Sequence, residues 1–326
     1  MKRRPGQACV IGGQGTLGQA VGGSLRSSGW AVQAAGRRQG AAVHLDLDEP
    51  STLPAALTNA DLIVSAVADP CFTAERWVLE NGGLLVNCSH APGAEAAALT
   101  AAFAARCKGT VLLNAGLVPG IANLVAAELL HGHPAADTLE VAFTIVRQAT
   151  AGRGGGEFVH SGLASRSHHE VVDLPLPEPF GHQACIEIYE DGDCGFAGVA
   201  EDRRVKNYLG FGDRSIDWSL RIANALRLMR TLPKAAFALS AHKGHPSQEP
   251  TGIWVGASTG DELLGSRTIK CEGDYRTTAE AARMFSEALI ANRRPGCFNP
   301  EDLFNLGDLT APLIEMGVRV GQSDRR

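Results

Sequence analysis

Several things are scarce in this chain of 326 residues, and each scarcity narrows the choice of function. No stretch approaches the ~20 consecutive apolar residues of a membrane-spanning helix. Lysine and arginine never gather into a broad basic face. The basic clusters are Lys2 to Arg4, Arg37-Arg38, Arg203-Arg204, Arg293-Arg294 and Arg325-Arg326, and the net charge is -5. Nucleic-acid binding is therefore not expected. Eight cysteines are present, but no two stand as Cys-x-x-Cys, and their spacing suggests no disulfide framework. Cys9, Cys88 and Cys107 lie in or beside apolar segments and read as buried thiols. A reducing, cytoplasmic setting follows. Lys2-Arg3-Arg4 looks like the start of an export signal, yet the apolar run 8–11 ends at once in glycines and is too short for one.

What is present is a regular alternation. Short apolar runs occur at 8–11, 30–35, 43–45, 62–66, 84–87 and 111–113, with helix-spaced stretches between them. Runs of this length suit strands buried on both faces. Six of them with intervening helices predict a doubly wound parallel sheet of the Rossmann type, an α/β fold. After Asn114 the rhythm changes. A helix is expected from Pro119-Gly120 to Leu130, a strand over 139–147 and a glycine-rich loop over 152–156. A Pro-rich bend at 174–179, a strand over 184–189, a helix over 218–229 and a strand over 252–257 come next. This reads as a second α/β (α+β) domain with a mixed or antiparallel sheet. Thr277-x-x-Glu280 reads as a capping box, and Asn299-Pro300-Glu301-Asp302 as another helix start. The expected division is 1–122, 123–276, and a helical tail over 277–326 that packs back on the first domain.

Gly13-Gln14-Gly15-Thr16-Leu17-Gly18 follows the first strand directly, opens a helix, and has one more glycine, Gly12, before it. In that position the pattern is a dinucleotide fingerprint: a tight turn, close approach to a pyrophosphate, and close helix–strand packing. The free N–H groups of the helix start then meet the phosphates. About 20 residues further on, NAD enzymes usually carry an acid that binds the ribose 2′-hydroxyl. Here the stretch reads Gln33-Ala34-Ala35-Gly36-Arg37-Arg38. Two guanidiniums suit a 2′-phosphate, so the expected cofactor is NADP(H), with Arg37 and Arg38 as its readers. Asp46, after the third strand, reads either as an adenine-side contact or as a turn residue.

The chemistry is less clear. Short-chain dehydrogenases need Tyr-x-x-x-Lys, but Tyr189, Tyr208 and Tyr275 are followed at that spacing by Asp193, Gly212 and Ala279. That class is excluded. Gly116-Leu117-Val118-Pro119-Gly120-Ile121-Ala122-Asn123 resembles the Gly-x-x-Pro-Gly-x-x-Asn segment of saccharopine dehydrogenase-like proteins, of the saccharopine reductase branch. Gly273-Asp274-Tyr275-x-x-Thr278-Ala279 is similar to that family's Tyr-x-x-Thr-Ala helix entry, and Pro295-Gly296 with Pro300-Glu301 to its C-terminal turn. The resemblance implies an NAD(P)-dependent oxidoreductase acting on the C–N bond of a small, amino-acid-derived amine or imine. It also implies a homodimer built partly through the second domain's sheet. The chain departs from the family at Val86-Asn87-Cys88-Ser89-His90, where many relatives carry Asp at the position of Asn87.

Strand C-terminal ends face the ligand in such sheets. Ala66-Val67-Ala68-Asp69, Asn87-Cys88-Ser89-His90 and Asn114-Ala115-Gly116 are thereby placed near the nicotinamide. The cofactor set is therefore Gly12, Gly13, Gly15, Thr16, Leu17, Gly18, Arg37, Arg38, Asp46, Ala66, Val67, Ala68, Cys88 and Asn114. His90 is the candidate acid, since imidazole titrates near neutral pH, and the alternative is a loop histidine. Asp69 reads as a base or a turn residue, and Asn87 as an orienting group. Arg147 and Arg153 could clamp a substrate carboxylate, with Pro119 also on the substrate side. His131-x-His133, His168-His169 and His242-x-x-His245 lack completing ligands, so no metal is expected. Two other activities stay open: reduction of a C=O or C=C bond, and non-catalytic sensing of NADP(H).

Overall fold

A computed structural model of the chain describes residues 6–91, 93–145, 153–189, 195–200, 202–234 and 249–322. The chain forms two compact units, Met1–Ile121 with Tyr275–Phe304, and Ala122–Asp274 with Asn305–Arg326.

The first unit is a Rossmann-type domain. Its strands are β1 (Gln7–Ile11), β2 (Ala31–Gly36), β3 (Val43–His44), β4 (Leu62–Ser65), β5 (Leu84–Asn87) and β6 (Thr110–Leu112), all six foreseen from the apolar runs. A seventh, β13 (Gly296–Phe298), comes from the far end of the sequence and pairs with β6. All pairings are parallel, in the order β13-β6-β5-β4-β1-β2-β3. The chain runs outward from β1 in both directions, so the topological switch point lies between β1 and β4. β4, β5 and β6 have no exposed residue, as befits strands covered on both faces. Leu53 and Leu57 of α2 (Leu53–Leu57), Val78 and Leu79 of α3 (Thr73–Asn81) and Leu99 of α4 (Gly93–Phe103) pack with Cys9, Ile63, Leu85 and Val111 in one core. Fully burying a side chain of this size contributes about 1.5–3 kcal/mol.

The second unit carries a mixed sheet, as expected. Its strands are β7 (Thr138–Ile145), β8 (Val171–Leu176), β9 (Gly181–Ile188), β10 (Arg204–Phe211), β11 (Pro250–Thr259), β12 (Glu262–Glu272) and β14 (Arg319–Gln322). The order is β14-β12-β11-β7-β10-β9-β8, and only β7 and β10 run parallel. Pro175 sits in β8, an edge strand, where a missing N–H costs least. After α5 (Ile121–Gly132), helices α6 (Arg153–Ala164) and, beyond the short α7 (Ala197–Ala200), α8 (Arg214–Ala225) follow; α6 and α8 supply Val159, Leu163 and Leu220 to a core with Ile186, Ile188, Leu209 and Phe211.

Several sequence expectations need correction. The glycine run 154–156 is not a loop but the first turn of α6, where the apolar spacing of Phe158, Val159 and Leu163 outweighs glycine's poor helix propensity. The helix expected over 218–229 starts earlier, with Asp213 as its cap: Ser215 donates its backbone N–H to Asp213 Oδ1 at 2.8 Å. Thr277 is no cap. The helix Asp274–Ala291 starts three residues before it, Thr277 is buried inside, and Glu280 pairs with Arg283 at 3.0 Å. The second start stands, since Asn299 donates its backbone N–H to Asp302 Oδ2 at 2.7 Å with Pro300 at the first helical position. The tail 277–326 divides rather than staying whole: β13 extends the first sheet, while β14 pairs with β12 in the second. Cys107 is half-buried rather than buried.

Candidate nucleotide-binding site

The glycine turn joins β1 to α1 (Thr16–Ser27). Gly12 takes a left-handed φ of 74°, and a Cβ there would lie 2.2 Å from Val67 Cγ1. A Cβ on Gly13 would sit 2.7 Å from that of Ala34, and one on Gly18 2.2 Å from the Gly12 carbonyl oxygen. Those three glycines are required by the protein's own packing. Gly15 differs. It is exposed and extended, and a Cβ would meet only the Gly12 carbonyl oxygen, at 3.3 Å. Of the four glycines, Gly15 is the one whose Cβ would meet the least resistance from the fold. Gly15 caps α1 without a side-chain hydrogen bond, and no acid occupies the first turn, where Thr16 and Leu17 follow. An anion is thus met by N–H groups and a positive dipole end.

At the end of β2, Arg37 and Arg38 are both exposed. Arg37 Nη1 lies 3.3 Å from Asp48 Oδ2 and 3.9 Å from Asp46 Oδ1. The stretch immediately after β2 has no acid, but the loop after β3 brings two back beside the arginine. Asp46 is built into that loop: its Oδ1 accepts from the Asp48 N–H at 3.1 Å, and its own N–H donates to Thr52 Oγ1 at 3.0 Å. Its carboxylate faces Arg37, and nothing in this geometry directs it to an adenine. Gln14 spans the mouth of this region, donating from Nε2 to the Gln39 carbonyl at 3.3 Å.

Beyond the switch point, the ends of β4, β5 and β6 are tied together. Ala66 donates its N–H to the Ile11 carbonyl at 3.1 Å. Val67 accepts at its carbonyl from Ser89 Oγ at 2.8 Å, and Ala68-Asp69 follow. Asp69 spends both oxygens on the turn into α3, accepting from the Cys71 N–H at 3.0 Å and the Thr73 N–H at 2.5 Å. The structure therefore favours the turn role over a base. Cys88 is buried, donates to the Ser65 carbonyl at 3.1 Å, and burial pushes its thiol up to about 12, which suits packing and not nucleophilic attack. Asn114 takes a left-handed φ of 54°, which asparagine tolerates better than most residues. Its Oδ1 accepts from the Ala91 N–H at 3.0 Å, and its Nδ2 donates to Asn299 Oδ1 at 3.0 Å. His90 is half-buried between Ser89 and Ala91 at this same end.

Asn87 is buried and sits at the centre of the tie. Its Oδ1 accepts from the Ser89 N–H at 2.8 Å and from Ser89 Oγ at 2.7 Å. Its Nδ2 donates to Glu75 Oε1 at 2.7 Å. Glu75 is fully buried on α3, and its Oε2 has no hydrogen-bond partner among the described residues. Burial pushes its carboxyl up to about 7, helped by the charge of Asp69 and opposed by hydrogen bonds from the backbone and Asn87. Cys297 of β13 also lies within its field. Glu75 is absent from the sequence expectations. The available signal was its place in the apolar stripe Ala74, Val78 and Leu79 of α3, where a carboxylate is out of pattern.

Two of the three segments that resemble the saccharopine family meet. Leu117 donates its N–H to Thr278 Oγ1 at 3.4 Å, and a Cβ on Gly116 would lie 3.1 Å from Thr278 Cγ2. Gly116 donates its N–H to the Pro119 carbonyl at 3.0 Å, and Pro119 is buried in this turn. Arg147 lies outside the described residues, and Arg153 is the first residue of α6. His242 and His245 also lie outside them. Among the described residues no three His, Cys, Asp or Glu side chains converge as a metal site, and no helix is long and apolar enough to cross a membrane.

No protein-family model matches the chain, and no curated protein does. Among solved structures it is similar to the C. glutamicum DAP dehydrogenase in complex with DAP, at 14% identity and a TM-score of 0.48, covering 95% of this chain and 99% of that one. It is also similar to GenD2 from gentamicin A biosynthesis in complex with NAD, at 14% identity and 0.42, covering 100% and 98%. A third is the WlbA (WbpB) dehydrogenase from Thermus thermophilus in complex with NAD and UDP-GlcNAcA, at 14% and 0.37, covering 95% and 92%. Likenesses this distant carry no argument about activity.

Proposed function

We propose that this chain is an NADP(H)-dependent oxidoreductase of saccharopine dehydrogenase-like type, moving hydride to or from the C–N bond of a small amino-acid-like substrate in a reducing, cytoplasmic setting. One observation carries the cofactor: Gly15 is the glycine of the turn that the protein's own packing constrains least, and it stands over the uncapped start of α1. Gly12, Gly13 and Gly18 shape the turn, the α1 N–H groups would hold the pyrophosphate, and Arg37 and Arg38 would take the 2′-phosphate. The nicotinamide supplies the hydride when bound, and the chain's part is to orient it and exclude water. The C–N specificity rests on the family-like segments that meet at Thr278. A homodimer through the second unit belongs to the same proposal. Titration of NADPH and NADH against the protein, then NADPH turnover with an amine and a keto acid, tests each level.

A second reading, a non-catalytic NADP(H) sensor, is favoured by one observation. Asp69 is committed to a turn, Cys88 is a buried thiol and Asn87 cannot titrate. This leaves His90 as the candidate proton donor at the strand ends. NADPH binding without turnover across amine and carbonyl partners selects this reading.

A further inference from the structure

Glu75 belongs to no site assigned so far, yet it is a fully buried carboxyl one hydrogen bond from the end of β5. Burying such a group is costly unless its partners are fixed, and here the partners form a chain. Glu75 Oε1 accepts from Asn87 Nδ2 at 2.7 Å, which decides the carboxamide's orientation. Asn87 Oδ1 must then face Ser89, where it accepts from N–H and Oγ at 2.8 and 2.7 Å. Ser89 Oγ lies also 2.8 Å from the Val67 carbonyl oxygen. A hydroxyl has one proton, so these two acceptors share it. The chain thus links α3 to the loops after β5 and β4, on the side of the switch point opposite Arg37. Without an acceptor at position 75, Asn87 Nδ2 loses its partner and the amide is held from the Ser89 side alone. A flipped amide would set Nδ2 against the Ser89 N–H, donor against donor.

We infer that Glu75 is a positioning residue for the nicotinamide half of the dinucleotide site, acting through Asn87 and Ser89 on the ends of β4 and β5. The inference rests on the dinucleotide reading. It predicts a selective defect, because the adenine half lies over β2 and β3 and is held by other groups.

The test uses Glu75→Met, which keeps the volume and removes the acceptor, and Glu75→Gln, which keeps an acceptor oxygen for Asn87. Each is titrated with NADPH and with adenosine 2′,5′-bisphosphate, a probe of the adenine half alone. The Met variant is expected to bind NADPH about three- to tenfold more weakly, the loss of one orienting hydrogen bond, with the bisphosphate unchanged and the Gln variant close to the parent. If the Met variant does not fold, Ser89→Ala, which cuts the last link without opening a buried cavity, decides by the same two ligands. A parent that binds both probes, with the deciding variant weakened equally toward both or toward neither, overturns this inference alone. So does a Gln variant as weak toward NADPH as the Met variant. A parent that binds neither probe overturns the dinucleotide reading and this inference with it.

Discussion

The guanidinium of Arg37 is shared between Asp48, 3.3 Å away, and Asp46, 3.9 Å away. Arg37 and Asp48 are both largely solvent-exposed, so the pair contributes little to stability, on the order of 0–1 kcal/mol. Its interest is competitive. A 2′-phosphate arriving at Arg37 must share it with two carboxylates of its own sign.

Asp48→Asn is therefore expected to raise NADPH affinity severalfold at low salt, with NADH nearly unaffected, while the Arg37→Ala, Arg38→Ala double variant loses roughly tenfold or more toward NADPH. Equilibrium titration with both cofactors at two salt concentrations measures this. Equal changes for NADPH and NADH would show that this corner does not read the 2′-phosphate.

Two glycines of the same turn are expected to fail in different ways. Gly15→Val places its Cβ 3.3 Å from the Gly12 carbonyl oxygen and is otherwise unobstructed, so it should leave a folded protein that no longer binds NADPH. Gly18→Ala drives a methyl to within 2.2 Å of the Gly12 carbonyl oxygen and should cost about 1–3 kcal/mol of stability. Thermal unfolding and NADPH fluorescence on the two variants separate the effects. A Gly15→Val protein with parental affinity would remove the assignment of this turn to phosphate.

Glu75 also predicts a pH dependence. Its ordinary carboxyl titrates near 4.3 in an unfolded chain, whereas burial holds it at about 7 in the fold. The folded state therefore binds the extra proton between those values, and the stability tied to this group is present at low pH and lost as pH rises through about 7. The full loss is on the order of 3–4 kcal/mol. Glu75→Gln cannot titrate. Its stability relative to the parent should climb by that order between about pH 4.5 and pH 8, whatever constant offset the buried amide adds. Urea unfolding at several pH values follows it. A difference that stays flat across the range would mean that Glu75 is ionised throughout.

The first unit was legible because β1, β4, β5 and β6 are almost wholly buried and so appear as unbroken apolar runs, with shorter runs marking the more exposed β2 and β3. β13 escaped because Gly296-Cys297-Phe298 is too short to carry a pattern and pairs with β6 from far away in sequence. β8, β10, β12 and β14 escaped for other reasons: Pro175 made the end of β8 read as a bend, and Lys206 and Asn207 interrupt the apolar run of β10. β12 reads Glu262 to Glu272 with charged residues inside the strand, and β14 is an exposed edge, so neither shows a continuous apolar run. The glycine turn was legible because its constraint is local. The acids beside Arg37 and the buried Glu75 were not, since each matters through a partner 9 to 12 positions away that only the fold brings near.

His90 offers the sharpest test of whether the site does chemistry. It follows Asn87 and Ser89, whose positions are fixed by hydrogen bonds to Glu75 and to the β4 end, and it is half-buried. If its imidazole protonates the amine nitrogen as hydride moves, His90→Ala should lower turnover by about 10²–10⁴-fold. NADPH affinity should survive, because on the proposed reading the phosphates would be held at α1 and Arg37. His90→Gln keeps size and hydrogen bonding but exchanges no proton near neutral pH, so it should be as slow as the Ala variant. The parent's pH–rate profile should show a limb in the imidazole range that both variants lack. Variants that turn over within a few-fold of the parent would reduce His90 to a loop residue. The proton would then come from solvent or from the substrate itself, with Asn87 and Asn114 left to orient the reacting groups.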